Sequence, residues 1–262
     1  MRKSVLLAWQ IGLTLLILAL WHVLTTYPVV ADVKQARFFF STPVDVALRV
    51  WRFFATGMIW RHLWITLLET LLAFGIGAIG GIVIGFWLAR QPRVAAVLDP
   101  FVKMANALPR VVLAPIFMLW FGLDIWSKVA LGVTLVFFIV FFNVYQGVKE
   151  VSPVILSNAR MLGMNERQLF RHVYWPSALS WMFSSLHTSV GFALVGAVVG
   201  EYLGSAAGLG YLIHEAESTF DMTGVVAGMV VLSFVVLLID WLVVLLEVRL
   251  LAWRPEGTAN GT

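Results

Sequence analysis

The chain has 262 residues and a formal net charge of +4; 61% of its residues are hydrophobic and only 12% are charged. Soluble domains carry about 25% charged residues, so this composition excludes a soluble globular protein and indicates an integral membrane protein. The absence of cysteine excludes disulfides, iron–sulfur clusters and thiolate zinc sites. The excess of basic residues is typical of the cytoplasmic loops of membrane proteins, so we expect no nucleic-acid partner.

Six apolar segments reach the roughly 20 residues that a helix needs to cross a membrane. They are Val5–Thr25, Leu63–Ala89, Asp99–Leu119, Ser127–Gln146, Ser180–Val199 and Val225–Glu247. The third contains Pro109 and Pro115, which interrupt a helix. We therefore predict an all-α polytopic membrane protein with about six transmembrane helices, one of them broken.

The first span could be an anchor or a signal peptide. Arg2 and Lys3 precede it and Val29-Val30-Ala31 follow it, which resembles a cleaved signal peptide. Its apolar run is longer than a typical signal peptide has, and we favour an uncleaved anchor.

Residues 26–60 form a polar connection that contains one predicted helix. Thr42 is suited to cap this helix, Pro43 to its first turn, and Asp45 to its positively polarised N-terminus. Apolar residues follow at helical spacing: Val44, Leu48, Trp51 and Ala55. This pattern indicates an amphipathic helix that lies on the membrane surface.

Basic residues predict the orientation. With the N-terminus inside, the six spans place these cations in the cytoplasm: Arg2, Lys3, Arg90, Arg93, Lys149, Arg160, Arg167, Arg171, Arg249 and Arg254. The loop Gly200–Gly224 then lies outside and contains four acidic and no basic residues. This asymmetry follows the positive-inside rule. Five cations resist it, because they would lie outside: Lys34, Arg37, Arg49, Arg52 and Arg61.

The segment Gly75–Gly80 matches the GxGxxG fingerprint of dinucleotide-binding folds. That fingerprint requires a preceding strand, which is missing because the match lies inside a predicted span. The same span has Gly77, Gly81 and Gly85 four residues apart, and we predict that this stripe packs closely against another helix. No GxxxxGK[ST] motif occurs, so a separate subunit would have to bind any ATP.

Residues 151–176 form a polar island between the fourth and fifth spans. Ser152-Pro153 is typical of a helix start and Gly163 of a helix end. Asn165 with Gln168 predicts a capping box on a second short helix, which Pro176 would end. Three residues are expected to line one face of the first helix: Ile155, Ala159 and Leu162. These features alone fit a protein-docking loop and a loop lying on lipid headgroups equally well.

The island resembles the cytoplasmic coupling loop of bacterial ABC-importer permeases, with the pattern EAA-x3-G-x9-I-x-L-P. Ala159, Gly163 and Pro176 match the pattern, and Val173 replaces its Ile. Three residues depart from it: Ser157, Asn158 and Trp175. The resemblance implies that an ATPase subunit docks on the loop through Ser157, Ala159, Leu162, Gly163, Met164, Asn165 and Pro176.

The resemblance extends over about Leu63–Pro255. Leu108-Pro109-Arg110, Trp120-Phe121-Gly122 and Gly208–Ile213 resemble motifs of the nitrate/sulfonate/taurine group of ABC-importer permeases. The resemblance implies the type I permease fold, a homodimer in the bacterial inner membrane, two ATPase subunits and a periplasmic solute-binding protein. It also implies a protein that is not an enzyme and has no catalytic residue, metal or cofactor. We expect an anchor and connection at 1–60, a permease core at 61–255 and a disordered tail at 256–262.

The resemblance implies a small solute but does not name it. The expected solute is an anion such as a sulfonate, taurine, nitrate or an aromatic carboxylate, and a thiamine-precursor pyrimidine is the alternative. Ionisable residues at membrane depth are costly and are candidates for function. We expect the translocation path to include Glu69, Asn106, Pro109, Arg110 and His187. For Glu69 and Asp240 we favour pairing between helices, and His187 stands where many family members have Arg.

The outer loop contains a candidate gate. Gly208 and Gly210 interrupt regular structure, so a re-entrant loop with Glu201 is expected to close the outer mouth. Two other protein classes remain as alternatives. A membrane enzyme has only the weak signal of Ser184 and His187, three residues apart. An ion-coupled transporter should show repeated halves, and no convincing repeat is present.

Overall fold

The computed structural model describes residues 3–27 and 32–250, and its regular elements in these ranges are all helical. Val29-Val30-Ala31 and the tail 256–262 lie outside the described residues. The α-helices are α1 Lys3–Thr26, α2 Val33–Phe40, α3 Pro43–Ala55, α4 Met58–Ala89, α5 Pro92–Ala107, α6 Ala114–Phe121, α7 Ile125–Lys149, α8 Pro153–Met161, α9 Glu166–Leu169, α10 Trp175–Leu203, α11 Leu209–Ser218 and α12 Met222–Leu250.

Five of these helices are long and apolar enough to cross a membrane alone: α1, α4, α7, α10 and α12. Helix α5 and the segment 110–121, a 3₁₀ turn followed by α6, bend by 85° and make a sixth candidate. The break at Pro109 confirms a broken third span. Its predicted bounds were wrong, because the helical segment begins at Pro92, and Pro115 starts α6 rather than interrupting it.

The glycine stripe of α4 packs against α7, as predicted. A Cβ atom added to Gly77 would lie 2.7 Å from Cβ of Val136, and one added to Gly81 would lie 2.9 Å from Cβ of Val140. Gly85 meets Val144 in the same way, at 3.2 Å. Any side chain on these glycines would force the two helices apart.

The register of these contacts determines the chain direction. Each valine lies the same number of residues beyond its glycine, so α4 and α7 run parallel. Helix α10 runs antiparallel to α7, since Gly196 contacts Gly132 while Gly200 contacts Lys128. Two parallel spans require that the chain between them returns across the membrane. The broken segment α5–α6 is therefore a genuine crossing, which supports six spans.

The polar connection folds into two helices that pack beside α12. Thr42 caps α3 by accepting the N–H of Asp45 at 3.1 Å, as predicted. Val46 and Phe53 are buried in a core cluster with α11 and α12. Arg49 pairs with Asp221 at 2.8 Å, so one of the five anomalous cations is neutralised by the acidic outer loop. Helix α2 was not predicted.

Candidate functional site

Helix α8 of the polar island has the predicted caps. Ser152 caps its start. At its end, Gly163 has a φ of +79°, and the N–H groups of Gly163 and Met164 donate to the carbonyls of Arg160 and Ala159 at 3.0 and 3.1 Å. This pair of bonds is a Schellman motif, and the left-handed conformation at its centre favours glycine. Gly163 is thus required by the backbone conformation; a Cβ there would contact no other atom within 4 Å.

Helix α9 carries the predicted capping box. The N–H of Gln168 donates to Asn165 Oδ1 at 2.9 Å, and the N–H of Asn165 donates to Gln168 Oε1 at 2.8 Å. The expectation that Pro176 ends this helix was wrong. A π-helical turn at Phe170–Tyr174 leads into α10, and Pro176 lies in the first turn of α10, where proline is tolerated.

The exposed face of α8 is apolar. The exposed fractions of Met161 and Leu162 are both 79%, and those of Val154 and Ile155 are 65% and 54%. Ala159 follows Ile155 by one helical turn but is only 6% exposed, so the protein covers its side chain and it adds little to the exposed surface. Four exposed apolar side chains on a capped helix provide a surface that a partner protein can cover.

The α8–α9 loop, defined as residues 152–174, is attached to the end of α4. Glu166 of α9 accepts a hydrogen bond from Arg90 Nη2 at 2.6 Å. Phe86 of α4 contacts both Phe170 and Trp175, at ring-centroid distances of 5.4 and 5.5 Å. Movement of the loop is therefore coupled to α4 through one ion pair and one aromatic cluster.

Glu201 joins three parts of the chain at the opposite end of α4. Its side chain is 1% exposed. Oε1 accepts the hydroxyl hydrogen of Thr66 at 2.6 Å, and Oε2 accepts the N–H of Gly210 at 2.7 Å. Thr66 Oγ1 in turn accepts the N–H of Leu209 at 2.9 Å. We call Thr66, Glu201 and residues 208–210 the outer clasp, which fixes the start of α11 to α4 and α10.

The two glycines of the outer clasp allow this close approach. A Cβ atom on Gly208 would lie 2.1 Å from the carboxyl carbon of Glu201, and the φ of Gly208 is +118°. A Cβ on Gly210 would lie 2.3 Å from the carbonyl oxygen of Val198. Gly210 lies in the first turn of α11, so the prediction that it interrupts regular structure was wrong. Its role in the fold is close packing.

A second buried charge lies beside the outer clasp. Lys128 of α7 is 0% exposed, and its ammonium donates to the carbonyls of Leu123 and Asp124 at 2.5 and 3.0 Å. Glu69 of α4 is 1% exposed, and the charged groups around it are Glu201, Lys128 and Asp124. Glu69 therefore lies with Glu201 at the end of the bundle opposite the α8–α9 loop. Oε2 of Glu69 is buried and has no hydrogen-bond partner among the described residues, and Lys128 is the cation beside it.

The residues expected to line a path fall into separate groups. Arg110 donates to Asn106 Oδ1 at 2.5 Å and lies over the ring of Phe138 at 5.3 Å. Its Nε is buried and has no hydrogen-bond partner among the described residues. His187 lies 3.4 Å from Asp240, which confirms that Asp240 pairs between helices. Pro109 is exposed and precedes the 3₁₀ turn that begins at Arg110. Glu69 lies neither with Arg110 and Asn106 nor with His187 and Asp240.

Sequence reasoning missed several residues that the structure places in these sites. They are Thr66, Arg90, Lys128, Glu166 and His62, whose Nδ1 accepts the N–H of Gly208 at 3.1 Å. One signal was present, because His62, Thr66, Glu69 and Thr70 recur at helical spacing and form a polar face on an otherwise apolar span. Arg90 and Glu166 carried no such signal.

Residues 81–252 match the model of the family described as binding-protein-dependent transport system inner membrane component. A putative aliphatic sulfonates transport permease of Bacillus subtilis (strain 168) is 34% identical over 94% of this chain and 88% of its own length. A formylaminopyrimidine transport permease of Halalkalibacterium halodurans is 33% identical over 82% of this chain and 86% of its own length.

A solved structure shares the fold. The MetNI methionine ABC transporter, in an inward-facing conformation, superposes with a TM-score of 0.62 at 17% identity. The match covers 71% of this chain and 93% of that chain. The fold class, the multi-pass inner-membrane location and the expected ATPase and solute-binding-protein partners all follow from this membership. The chain belongs to the binding-protein-dependent transport system inner membrane component family and is an ABC-importer permease.

Proposed function

We propose that two copies of this chain form the pore of the importer and that an ATPase subunit docks on the α8–α9 loop of each copy. Residues 1–60 then serve as anchor and connection, and 61–255 as the permease core. The observation that carries the proposal is the exposed apolar face of α8, formed by Val154, Ile155, Met161 and Leu162. A docking helix needs such a face. The caps of α8 and α9 stabilise the two helices and so maintain the conformation of the loop.

The attachment of the loop to α4 gives docking a mechanical consequence. The Arg90–Glu166 ion pair and the contacts of Phe86 connect the loop to a helix of 32 residues. ATP-driven closure of the ATPase subunits would pull the two loops together, and α4 would move with them. ATP is hydrolysed in those separate subunits, since this chain has no P-loop motif.

Leu162→Asp tests this docking surface. Leu162 is 79% exposed, so the change should leave the permease folded while it abolishes co-purification with the ATPase subunit and uptake. Arg171→Ala, an exposed change on the same loop but outside the apolar face, is the matched control. If the Leu162 variant retains both the ATPase subunit and uptake, α8 is not the docking surface.

We propose that the solute is a small organic anion of the sulfonate class. Arg110 supports this proposal, because it lies at the break of the third span, its guanidinium is held by Asn106, and its buried Nε has no hydrogen-bond partner in the described part of the chain. A cation beside a path raises the local concentration of anions. The 33% identical formylaminopyrimidine permease keeps a neutral pyrimidine as the second candidate.

Arg110→Gln distinguishes the two solutes. An importer of sulfonates should lose uptake rate in this variant, because the positive charge is removed while a shorter, neutral hydrogen-bonding side chain remains. The solute-binding protein should keep its affinity, since it is a separate protein. Uptake of taurine and of a formylaminopyrimidine should be measured in parallel; unchanged uptake of both, with normal assembly, would exclude Arg110 from the path.

We also propose that the outer clasp closes the outer mouth of the pore. The buried hydrogen bonds of Glu201 to Thr66 and Gly210 support this, because they hold the start of α11 against two spans. Thr66→Val removes the bond to Glu201 and the acceptor of the Leu209 N–H, and it keeps the side-chain shape. We expect this variant to leak solute without ATP; tight vesicles would contradict a gating role.

A further inference from the structure

Helix α3 has three distinct faces. Val46 and Phe53 are buried against the bundle, while Asp45, Arg49 and Arg52 form a polar face. A third face is apolar and yet exposed. Its exposed fractions are 54% for Val44, 51% for Leu48 and 71% for Trp51. Together with Ala55, which is also exposed, these residues are the stripe from which the sequence predicted a surface-lying helix, and no described part of the chain covers it.

The position of α3 identifies what covers this stripe. Helix α2 is held at the end of α1, since Trp21 Nε1 donates to the carbonyl of Phe40 at 3.2 Å. Ser41, which joins α2 to α3, hydrogen-bonds Thr223 in the first turn of α12 at 2.8 Å. Two spans thus have one end at the level of α2 and α3. Both helices therefore lie where the membrane surface is.

The side chains around α3 have the composition of a membrane interface. Exposed aromatic residues continue from α2 to the start of α4: Phe38, Phe39, Phe40, Trp51, Phe54, Trp60 and Trp64. Arg37, Arg52 and Arg61 lie among them and are exposed. None of these three arginines pairs with a carboxylate of the described residues, whereas Arg49 does. Aromatic rings with interspersed cations are typical of the headgroup region.

We propose that α2 and α3 form an interfacial collar, whose apolar stripe enters the outer leaflet and whose free arginines bind the phosphates of anionic phospholipids. Guanidinium groups bind phosphate in two-point geometry, which suits this role. The collar explains why Arg37, Arg52 and Arg61 depart from the positive-inside rule. These arginines bind lipid headgroups on the outer side and so help to anchor the chain in the membrane. The collar also keeps α3, and with it the contact to α12, at a fixed depth.

Single-cysteine variants test the membrane contact directly, because the chain has no cysteine of its own. Leu48→Cys reports the apolar stripe and Asp45→Cys, also on the exposed surface of α3, is the matched control. The complete transporter is placed in vesicles and treated with a membrane-impermeant maleimide. We expect the cysteine at 48 to react about tenfold more slowly than the one at 45, because lipid covers it. Equal rates would overturn the proposal.

Two further measurements complete the test. The first asks whether lipid or a protein covers position 48, and the second asks whether the charge of the arginines or the shape of their side chains is responsible for headgroup binding. If position 48 becomes protected only when the solute-binding protein is added, the stripe is a protein-docking surface and the proposal is wrong. Adding phosphatidylglycerol to phosphatidylcholine vesicles should slow the reaction at 48 further. This effect should disappear in Arg52→Gln/Arg61→Gln and persist in Arg52→Lys/Arg61→Lys. An identical lipid response in all three backgrounds would overturn the headgroup assignment.

Discussion

The outer clasp and the α8–α9 loop are both attached to α4, at opposite ends, but by different kinds of contact. Thr66 and Arg90 are separated by about 36 Å of helix at 1.5 Å per residue. The clasp consists of buried hydrogen bonds and of glycines that leave no room for a side chain. The loop is held by an ion pair whose two side chains are 35% and 63% exposed, and by ring contacts.

This difference separates a rigid end from an adaptable one. A buried hydrogen bond that is broken leaves unsatisfied groups, so the clasp is either formed or lost. An exposed ion pair can exchange its partner for water at little cost, so the loop can shift while a partner protein pulls on it. Variants at the two ends should therefore differ in what they damage: stability at the clasp, coupling at the loop.

The largest effect is expected at Gly208. Gly208→Ala places a methyl group 2.1 Å from the Glu201 carboxyl carbon on a backbone with φ of +118°. Overpacking and left-handed strain together should destabilise the fold by about 3 kcal/mol or more. Thermal unfolding of the purified permease measures this. Gly191→Ala is the control, because a Cβ there meets nothing within 4 Å; a similar loss in both variants would contradict the packing argument.

Removal of the Glu201 carboxylate should have the next largest effect. Glu201→Ala leaves the Gly210 N–H without its buried acceptor, while the Thr66 hydroxyl keeps the His62 carbonyl at 3.1 Å, and the expected cost is about 1 to 3 kcal/mol. Glu201→Gln retains one acceptor oxygen and should lose less. The order of melting temperatures should be wild type, Gln variant, Ala variant. If both variants melt with the wild type, the clasp does not hold α11.

The smallest effect on stability, and the one that sharpens the comparison, is expected at Arg90 and Glu166. An ion pair this exposed contributes at most about 1 kcal/mol, so Glu166→Arg should melt almost normally. It should nevertheless reduce the stimulation of ATPase activity by the solute-binding protein, because α4 no longer follows the loop. The exchange Arg90→Glu/Glu166→Arg should restore stimulation. Failure of the exchanged pair, with a normal melting temperature, would exclude this ion pair from coupling.

Local patterns were predicted well from the sequence because their physics is local. The caps of α3, α8 and α9 depend on residues within a few positions of each other, so Thr42, Gly163 and Asn165 were identified correctly. The glycine stripe was recognised from its four-residue spacing, although its partner helix could not be named. The break at Pro109 followed from the missing N–H of proline.

Contacts between distant segments could not be predicted in this way. Thr66 and Glu201 are 135 residues apart, and Arg90 and Glu166 are 76 apart. The periodicity of a sequence shows which residues lie on the same face of a helix, but it does not show which other helix covers that face. Ala159 illustrates the same limit, since a small apolar residue suits a docking surface and a buried contact equally. The two roles can be distinguished only from the structure, in which Ala159 is buried.

The close seating of α4 against α7 restricts the motions open to the transporter. Val136, Val140 and Val144 each rest over a glycine, and a displacement of half a turn would drive them against the bulkier residues between the glycines. Only a slide by one four-residue repeat, about 6 Å at 1.5 Å per residue, would reseat them. The two helices can therefore pack in discrete registers but not in the positions between them. We therefore expect α4 and α7 to move as one unit when the transporter opens and closes.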